Sequence, residues 1–318
     1  MPESEFSIID HYFRRSGAER PDVALGIGDD AALLRVPEGQ ELVVTVDTLV
    51  AGVHFPVDTP PVAIGHKALA VNLSDLAAMG ATPAWITLAL TLPTADNDWL
   101  DTFAEGLFAL ATTHDVQLVG GDTTHGPLSV TVQAMGLVPE GRALRRSGAR
   151  EGDAILVTGY LGDAALALQQ GAAASTELRA RLDTPQPRVA AGQALRELAS
   201  SAIDISDGLL ADLGHIVRAS AVGAELWMDA LPRSVVFRHA LGREQPDWYG
   251  LPLTGGDDYE LCVTLPPERV ETARARLAEL GLPLTEVGRI RAGQGIRCHH
   301  EDGREYQPTS RGYEHFST

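Results

Sequence analysis

Six short segments place carboxylates beside glycine or inside otherwise apolar sequence, where acidic residues are uncommon. In chain order they read GIGDD, VVTVD, NLSD, VGGD, AIDISD and GGDDYE. Their acidic residues and polar neighbours are Asp29, Asp30, Thr45, Asp47, Asn72, Asp75, Asp122, Asp204, Ser206, Asp207, Asp257, Asp258 and Glu260. Carboxylate and hydroxyl oxygens without a cysteine or histidine cluster suit hard cations such as Mg²⁺, which bridges carboxylates to substrate phosphates. The pattern therefore indicates a shared site for magnesium and a nucleotide.

Each segment alone also fits a simpler role, because Asp next to glycine commonly holds a turn or caps a helix. Asp47 and Asp75 fit that role less well. We expect them inside an apolar strand and an apolar helix, where an unpaired carboxylate is strongly disfavoured. Between residues 36 and 141 the basic residues are Lys67 and histidines, so bound metal is the expected partner. Two roles stay open for Asp29, which is either a second ligand or the residue that holds its turn.

The composition excludes several classes of protein. The 318 residues include 43 acidic and 25 basic ones, for a net charge of −18, so we expect no nucleic-acid partner. The only lysine, Lys67, lies in IGHKALAVN, outside any lysine-containing P-loop. No apolar run approaches the ~18 residues of a spanning helix, and no signal-peptide core is visible, so we expect no membrane partner and a cytoplasmic location. Cys262 and Cys298 are expected to be structural thiols.

The elements that must position the acidic segments fall into two predicted domains, 1–138 and 139–318, separated at the charged stretch PEGRALRRSGAREGD. Hydrophobic periodicity predicts a β-α-β-α-β-β order for the first domain. Its predicted elements are a helix at 5–15, a buried strand at 41–50, a helix at 61–80, a strand at 84–92, a helix at 96–114 capped by Asp96 or Asn97, and strands at 116–124 and 128–139. Asp122 is expected just past the end of an apolar strand.

The second domain also alternates strands with helices. The prediction places strands at 154–159, 202–206 and 224–228, helices at 162–170, 175–181, 187–200 and 208–220, a turn leading into a strand at 253–265, and a helix at 267–280. The tail QPTSRGYEHFST has no strong pattern. The fold class is therefore α/β (α+β), in two domains.

Six longer motifs follow one another across nearly the whole chain. They are GIGDDAALL, TVDTLVAGVHF, KALAVNLSDLAAMGATP, LVGGDTT, AIDISDGL and GGDDYEL, with RGYEHF near the end. In this order they resemble the thiamine-monophosphate kinase family, within the superfamily of aminoimidazole-ribonucleotide synthetase-like ATP-binding proteins. The resemblance implies a homodimer, in which the mixed sheet of an N-terminal domain that binds ATP and magnesium forms a barrel-like dimer core. It implies a C-terminal α/β domain as well.

The resemblance also implies roles for individual residues. The positions that match magnesium ligands are Asp30, Thr45, Val46, Asp47, Asp75, Asp122, Asp204 and Asp207. The positions that match ATP contacts are Gly121, Asp122, Arg146 and Ser206, and those that match substrate contacts are His54, Glu260 and Tyr313. Val46 departs from versions of the motif with a hydroxyl residue and would reach a metal only through its carbonyl oxygen.

The implied reaction is ATP-dependent phosphorylation of thiamine monophosphate to thiamine diphosphate, with several Mg²⁺ ions. No catalytic base is expected, because the accepting phosphate is already largely ionised at neutral pH. Two alternatives stay open: another ATP-dependent enzyme of the superfamily, of synthetase or selenophosphate synthetase type, and a magnesium–nucleotide sensor without turnover. The selenophosphate branch usually carries a reactive Cys near its N-terminus and the hydrogenase-maturation branch a terminal Cys. This sequence has neither, which favours the kinase.

Overall fold

The computed structural model of the chain describes residues 5–14, 18–241, 248–310 and 312–313. The chain divides into two compact units. Unit 1 comprises residues 1–76 and 81–141, and unit 2 comprises residues 77–80 and 142–318. The described residues form mixed α/β structure in both units, so the predicted fold class is confirmed. No helix in the described part of the chain is long and apolar enough to cross a membrane.

Unit 1 contains six strands and three helices among its described residues. The strands are β1 (Val23–Leu25), β2 (Leu33–Leu34), β3 (Gln40–Val50), β4 (Thr82–Leu92), β5 (Gln117–His125) and β6 (Ser129–Pro139). The helices are α1 (Glu5–Ile8), which continues as a π-helix over Ile9–Phe13, α2 (Pro61–Ala78) and α3 (Asn97–Thr113). The predicted β-α-β-α-β-β order is confirmed for β3 to β6. The short pair β1–β2 was not predicted.

The main sheet of unit 1 has the strand order β3-β6-β4-β5. Strand β6 pairs antiparallel with both β3 and β4, whereas β4 and β5 are parallel and are joined through α3, as a parallel pair requires. Asp96 caps α3 by accepting a hydrogen bond from the Trp99 backbone N–H at 3.1 Å, as predicted. Within one chain these four strands form an open sheet, with β3 and β5 at its edges, and not a closed barrel.

Strand β3 is exposed along most of its length, so the prediction of a buried strand is wrong. Only Leu49 is buried, whereas Leu42, Val44 and Val46 are 44%, 49% and 59% exposed. Side chains alternate between the two faces of a strand. Thr45 and Leu49 lie on the face of β3 that meets α2, whereas Leu42, Val44 and Val46 lie on the opposite face, which the described residues of unit 1 leave exposed. The β-branched composition predicts strand formation correctly but not burial.

Unit 2 is built on one seven-stranded sheet with the order β13-β12-β9-β11-β7-β10-β8. Its strands are β7 (Ala154–Thr158), β8 (Ser201–Ile205), β9 (Gly223–Trp227), β10 (Glu260–Leu265), β11 (Leu284–Arg291), β12 (Gly295–His299) and β13 (Glu305–Tyr306). Its helices are α4 (Asp163–Gln170), α5 (Thr176–Asp183), α6 (Val189–Leu195), α7 (Leu209–Ser220), α8 (Val235–Leu241), α9 (Gly250–Thr254) and α10 (Val270–Glu279). The elements α8, α9 and β11 to β13 were not predicted, and α6 ends earlier than expected.

Unit 2 packs α7 against the sheet through one apolar cluster. Ile205, Leu209, Leu213 and Leu226 are fully buried in it. Cys262 and Cys298 are buried free thiols, which confirms the prediction of structural cysteines, and burial raises the pKa of Cys298 to about 11. The AIDISD segment begins within β8 and ends just before α7, so this core fixes its position.

Candidate functional site

The GIGDD segment forms an exposed turn held by its own side chain. Gly28 has φ +128°, a conformation that favours glycine. The Asp29 carboxylate accepts a hydrogen bond from the Asp30 backbone N–H at 2.8 Å. Of the two roles left open for Asp29, the structure therefore shows the turn-holding one, and Asp30 presents its carboxylate at the surface.

Two of the predicted magnesium ligands meet where β3 faces α2. The Thr45 hydroxyl donates a hydrogen bond to Oδ2 of Asp75, and Asp47 lies on the same face of β3 as Thr45 because side chains alternate along a strand. Both carboxylates are partly exposed. The expectation that they are buried is wrong, since β3 is an edge strand. Val46 is 59% exposed and points to the opposite face, so only its backbone could approach the same ligand.

His54 follows β3 in a compact turn. Its Nδ1 accepts the Val50 backbone N–H at 3.0 Å, so a neutral ring carries its proton on Nε2. The Lys67 ammonium lies 3.4 Å from the His54 carbonyl oxygen, and Lys67 is only 2% exposed. Lys67, which does not belong to a P-loop, thus supports the turn that carries His54.

Gly121 and Asp122 lie within β5 and are exposed. The prediction that Asp122 lies past the end of the strand is wrong, because β5 continues to His125 in parallel register with β4. A Cβ atom on Gly121 would lie 1.9 Å from the Leu88 carbonyl oxygen. Glycine is therefore required here by close approach of the two strands, which places the Asp122 backbone.

In unit 2 the AIDISD segment forms most of β8 and the beginning of the turn that leads into α7. Asp204 is buried on β8, where it pairs with Leu261. The backbone N–H groups of Ser206 and Asp207 both donate to Oδ2 of Asp212, each at 3.1 Å. Burial and then the Asp207 charge raise the pKa of Asp212 to about 7. Asp212 was missed in the sequence, although an Asp in the first turn of an otherwise apolar helix was a visible signal.

The GGDDY segment packs against the same backbone. Asp257 donates its backbone N–H to the Ser206 carbonyl oxygen at 2.8 Å, and Asp257 and Tyr259 both have positive φ values, 60° and 49°. Such values are uncommon for residues other than glycine. This loop therefore holds the Ser206 carbonyl oxygen, while Asp212 holds the Ser206 N–H.

Asp258 turns inward from that loop toward the start of α4. Its Oδ1 accepts the Gly162 N–H at 2.8 Å, while its Oδ2 is buried without a partner among the described residues. Burial, followed by the charges of Glu260, Asp163 and Asp257, raises the pKa of Asp258 well above its usual value. The sequence includes Asp258 among the acidic segments, but its inward orientation was not predicted.

Glu260 is a buried ion-pair partner. It is 2% exposed, and Arg188 contacts both of its carboxylate oxygens, with Nε 2.6 Å from Oε2. The Thr158 hydroxyl donates to the same oxygen at 2.7 Å. The substrate contact implied for Glu260 by the family resemblance stays a prediction. In this geometry its carboxylate accepts hydrogen bonds from Arg188, which lies 72 positions away in the sequence. No local sequence pattern indicates this pair.

Arg146 and Tyr313 lie at opposite ends of α7. The Arg146 carbonyl oxygen accepts a hydrogen bond from the Ser220 hydroxyl at 3.2 Å. The Arg146 side chain is exposed. The Tyr313 backbone N–H donates to the Asp207 carbonyl oxygen at 3.1 Å, and Tyr313 is 47% exposed. The rest of the RGYEHF motif, apart from Gly312, lies outside the described residues.

Along α7 runs an open groove of about 1110 Å³. Its lining includes Asp207, His215, Arg218, Tyr306 and Tyr313, so it begins at a predicted magnesium ligand and combines charged, aromatic and apolar side chains. A groove of this size and mixed lining suits a ligand of nucleotide dimensions.

Across the described ranges, no three acidic, histidine or cysteine side chains lie close enough to hold a metal ion alone. The donor set consists of carboxylates and one hydroxyl, and the Thr45 hydroxyl is hydrogen-bonded to Asp75. That chemistry fits Mg²⁺, which usually takes one or two protein carboxylates and completes its shell with water and substrate phosphates. It does not fit a closed metal cage.

The chain matches two families of known domains. Residues 28–138 match the AIR synthase related protein, N-terminal domain, and residues 150–301 match the corresponding C-terminal domain. The thiamine-monophosphate kinase of Escherichia coli K12 is 50% identical over 327 aligned residues, covering 100% of both chains.

Solved structures agree with this relationship. The crystal structure of thiamine-monophosphate kinase from Stenotrophomonas maltophilia is 52% identical, with a TM-score of 0.86 over 96% of this chain and 99% of that one. The structure of AaThiL complexed with AMPPCP and TMP is 31% identical, with a TM-score of 0.78 over 91% and 92% of the two chains. The motifs occur in order, both domain families match, and the sequence identity extends over the full length of the chain. The chain therefore belongs to the thiamine-monophosphate kinase family.

Proposed function

We propose that the protein transfers the γ-phosphoryl group of ATP to the phosphate of thiamine monophosphate, giving thiamine diphosphate and ADP. The observation that carries the proposal is 50% identity to thiamine-monophosphate kinases over the full length of both chains. The related AaThiL structure contains AMPPCP and TMP, a non-hydrolysable form of the donor together with the acceptor. The use of ATP supports a cytoplasmic location.

The chemistry requires positioning and charge neutralisation more than acid–base catalysis. The accepting phosphate has a second pKa near 6 and is largely ionised at neutral pH, so no residue has to remove a proton from it. The obstacle is repulsion between two anions. Mg²⁺, when bound, would offset that repulsion and orient the donor phosphates.

The residues proposed to hold magnesium are the oxygen donors described above. Those with side-chain donors are Asp30, Thr45, Asp47, Asp75, Asp122, Asp204 and Asp207, and Val46 could contribute only its carbonyl oxygen. In unit 1 the Thr45 hydroxyl orients the Asp75 carboxylate. In unit 2 Asp212 fixes the backbone of Asp207. Each arrangement limits the conformations of a proposed metal-binding residue, Asp75 or Asp207, before any ion binds, which favours a site of defined geometry.

The proposed contacts to ATP and to the acceptor are the ones that the family resemblance implies. Gly121, Asp122, Arg146 and Ser206 are proposed to contact ATP. The Arg146 guanidinium, exposed and without an ion-pair partner among the described residues, suits a phosphate. His54 is proposed to donate from Nε2 to thiamine monophosphate. The exposed Tyr313 ring suits the cationic thiazolium. Glu260, which pairs with Arg188, is also proposed to contact thiamine monophosphate.

We also propose that the protein is a homodimer formed through β3. Leu42, Val44 and Val46 form an exposed apolar row on an unpaired edge strand, and a second copy would cover both the row and the edge. The predicted domain roles accompany this proposal: residues 1–138 provide dimerisation and part of the ATP and magnesium site, and residues 139–318 form the C-terminal α/β domain.

The direct test supplies ATP, Mg²⁺ and thiamine monophosphate and follows thiamine diphosphate by chromatography. We expect equimolar thiamine diphosphate and ADP, and none after chelation of the metal. ADP released without thiamine diphosphate would overturn the acceptor assignment. Nucleotide binding without any turnover would point to the sensor alternative.

A further inference from the structure

The groove along α7 contains two basic side chains with no assigned role. The Arg218 guanidinium lies 3.1 Å from Nδ1 of His215, and both residues line the groove that begins at Asp207. Neither Arg218 nor Arg146 has a carboxylate within ion-pairing distance among the described residues, although the chain carries 43 acidic residues. Arg218 therefore adds a positive charge to a groove whose lining also includes the carboxylates of Asp207 and Glu305, and a guanidinium suits a phosphate group.

The contact between Arg218 and His215 determines what the ring can do. Because Arg218 has only donors, His215 must accept at Nδ1, and its proton is on Nε2. Burial, followed by the charges of Arg218 and Arg146, lowers the pKa of His215, which keeps the ring neutral. His215 therefore offers one N–H donor in a direction fixed by Arg218.

His215 also lies between two predicted nucleotide contacts. Asp207, next to Ser206, shares the groove with it. On the other side the segment carrying Arg146 is tied to the end of α7, since Ser220 donates to the Arg146 carbonyl oxygen at 3.2 Å and accepts from the Gly148 and Ala149 N–H groups at 3.1 Å. His215 therefore lies on α7 between the end that adjoins Asp207 and the end that holds the Arg146 segment.

We infer that His215, held by Arg218, is a further nucleotide-binding residue whose Nε2–H donates to a phosphate or ribose oxygen of ATP. Arg218 acts as the positioning residue and adds positive charge beside the same oxygen. The inference rests on the proposed function for the identity of the nucleotide. The alternative source of a phosphate is thiamine monophosphate, and the measurements below separate the two.

The test compares His215→Ala, His215→Gln, Arg218→Ala and the control Arg276→Ala, which removes another exposed arginine from the last turn of a helix of unit 2. We expect His215→Ala to raise the KM for ATP about tenfold, the loss typical of a hydrogen bond to a charged group, with the KM for thiamine monophosphate within about twofold of wild type. Gln places an N–H near the position of Nε2 and should restore most of the affinity. Arg218→Ala should resemble His215→Ala, and Arg276→Ala should resemble wild type.

Calorimetric titration with ADP and Mg²⁺ gives a second measurement that needs no turnover, so it remains informative even if the proposed kinase activity fails. Weaker ADP binding by His215→Ala and Arg218→Ala, with an unchanged melting temperature, supports the inference. A rise confined to the KM for thiamine monophosphate, an unchanged KM for both substrates, or equal weakening by Arg276→Ala would overturn it.

Discussion

Oδ2 of Asp212 accepts the backbone N–H of Asp207 at 3.1 Å, so a buried carboxylate in α7 determines the conformation of a predicted magnesium ligand. The same oxygen accepts the Ser206 N–H, which lies in the segment proposed to contact ATP. Asp212 is 3% exposed and does not need to touch a ligand itself. It is therefore a positioning residue for the Ser206–Asp207 backbone.

Replacing Asp212 by Ala should leave the two N–H groups without their acceptor and loosen the Ser206–Asp207 backbone. We expect kcat/KM for ATP to fall by up to about 100-fold, since displacement of a positioned group by about 1 Å costs that much. Asp212→Asn keeps an acceptor oxygen and should retain most of the activity. Steady-state kinetics at saturating thiamine monophosphate provide the measurement.

The matched control is Glu177→Ala, which removes an exposed carboxylate from the first turn of α5 in the same unit. It should leave kcat/KM within about twofold of wild type, as expected for a surface substitution away from the site. If Asp212→Ala and Glu177→Ala behaved alike, the positioning role of Asp212 would be refuted.

The Thr45–Asp75 contact leads to a second prediction. Asp75→Asn removes a proposed carboxylate ligand and should abolish activity without unfolding the protein. Thr45→Val removes a hydroxyl that orients Asp75 and is itself a proposed, weaker ligand, and should cost about 10- to 100-fold. Raising the Mg²⁺ concentration should partly restore Thr45→Val. Activity measured against Mg²⁺ concentration, with circular dichroism to verify the fold, provides the test.

Asp98→Asn is the control in unit 1, because Asp98 is an exposed acid in the first turn of α3. It should show a wild-type dependence on Mg²⁺. Normal turnover by Asp75→Asn would contradict the assignment of that carboxylate as a ligand.

The sequence predicted those features that depend on local patterns. The alternation of β3, α2, β4, α3, β5 and β6, the Asp96 cap and the ordered acidic motifs all follow from neighbouring residues. Burial could not be predicted in the same way. Whether β3 lies at an edge depends on strand order, which is set by pairing between residues about 90 positions apart, such as Val44 with Met135.

The contacts of the site residues could not be predicted from local sequence patterns either. Arg188 and Glu260 are 72 positions apart, and no periodicity relates them. Strands β11 to β13 follow one another with brief connections and little alternation of apolar and polar residues, so the sequence does not indicate them clearly. Asp212 is the exception, because an acid five residues after Asp207, in the first turn of α7, is a local feature of the sequence.

Asp258 makes the stability of the protein depend on pH. Burial and the charges of Glu260, Asp163 and Asp257 raise its pKa in the folded state, whereas an unfolded Asp titrates near 3.9. Above that pH the unfolded chain holds fewer protons at this position than the folded chain, so the free energy of unfolding falls as pH rises toward the folded pKa. Asp258→Asn cannot ionise and should therefore be more stable than wild type at pH 7, by a margin that shrinks toward pH 4.

Urea unfolding at several pH values between 4 and 8 measures that margin. Asp302→Asn serves as the control of opposite sign, because hydrogen bonds from Arg304 lower the pKa of Asp302 and its removal should give no gain at pH 7. A constant difference between Asp258→Asn and wild type across the pH range would show that Asp258 does not titrate as described.

The apolar row on β3 predicts the behaviour of a charged variant. Val44→Glu places a carboxylate in the proposed dimer interface, where it would be desolvated without a partner, and should convert the dimer to a monomer at micromolar concentration. Leu168→Glu is the control, since Leu168 is 56% exposed on α4 and Val44 is 49% exposed. Analytical ultracentrifugation distinguishes the two, and a monomeric wild-type protein would refute the interface.

The buried Arg188–Glu260 pair leads to the last prediction. Glu260→Gln leaves the Arg188 guanidinium buried beside a neutral amide, and breaking such a pair on one side costs about 3 to 5 kcal/mol of unfolding free energy. The double variant Arg188→Met, Glu260→Met removes both charges and should recover most of that loss, because an apolar pair of similar volume avoids the desolvation cost. If Glu260 also contacts the cationic substrate, Glu260→Gln will in addition raise the KM for thiamine monophosphate. Urea unfolding measures the contribution of the pair to stability, and that KM tests the proposed contact with the acceptor; an unchanged KM would refute it.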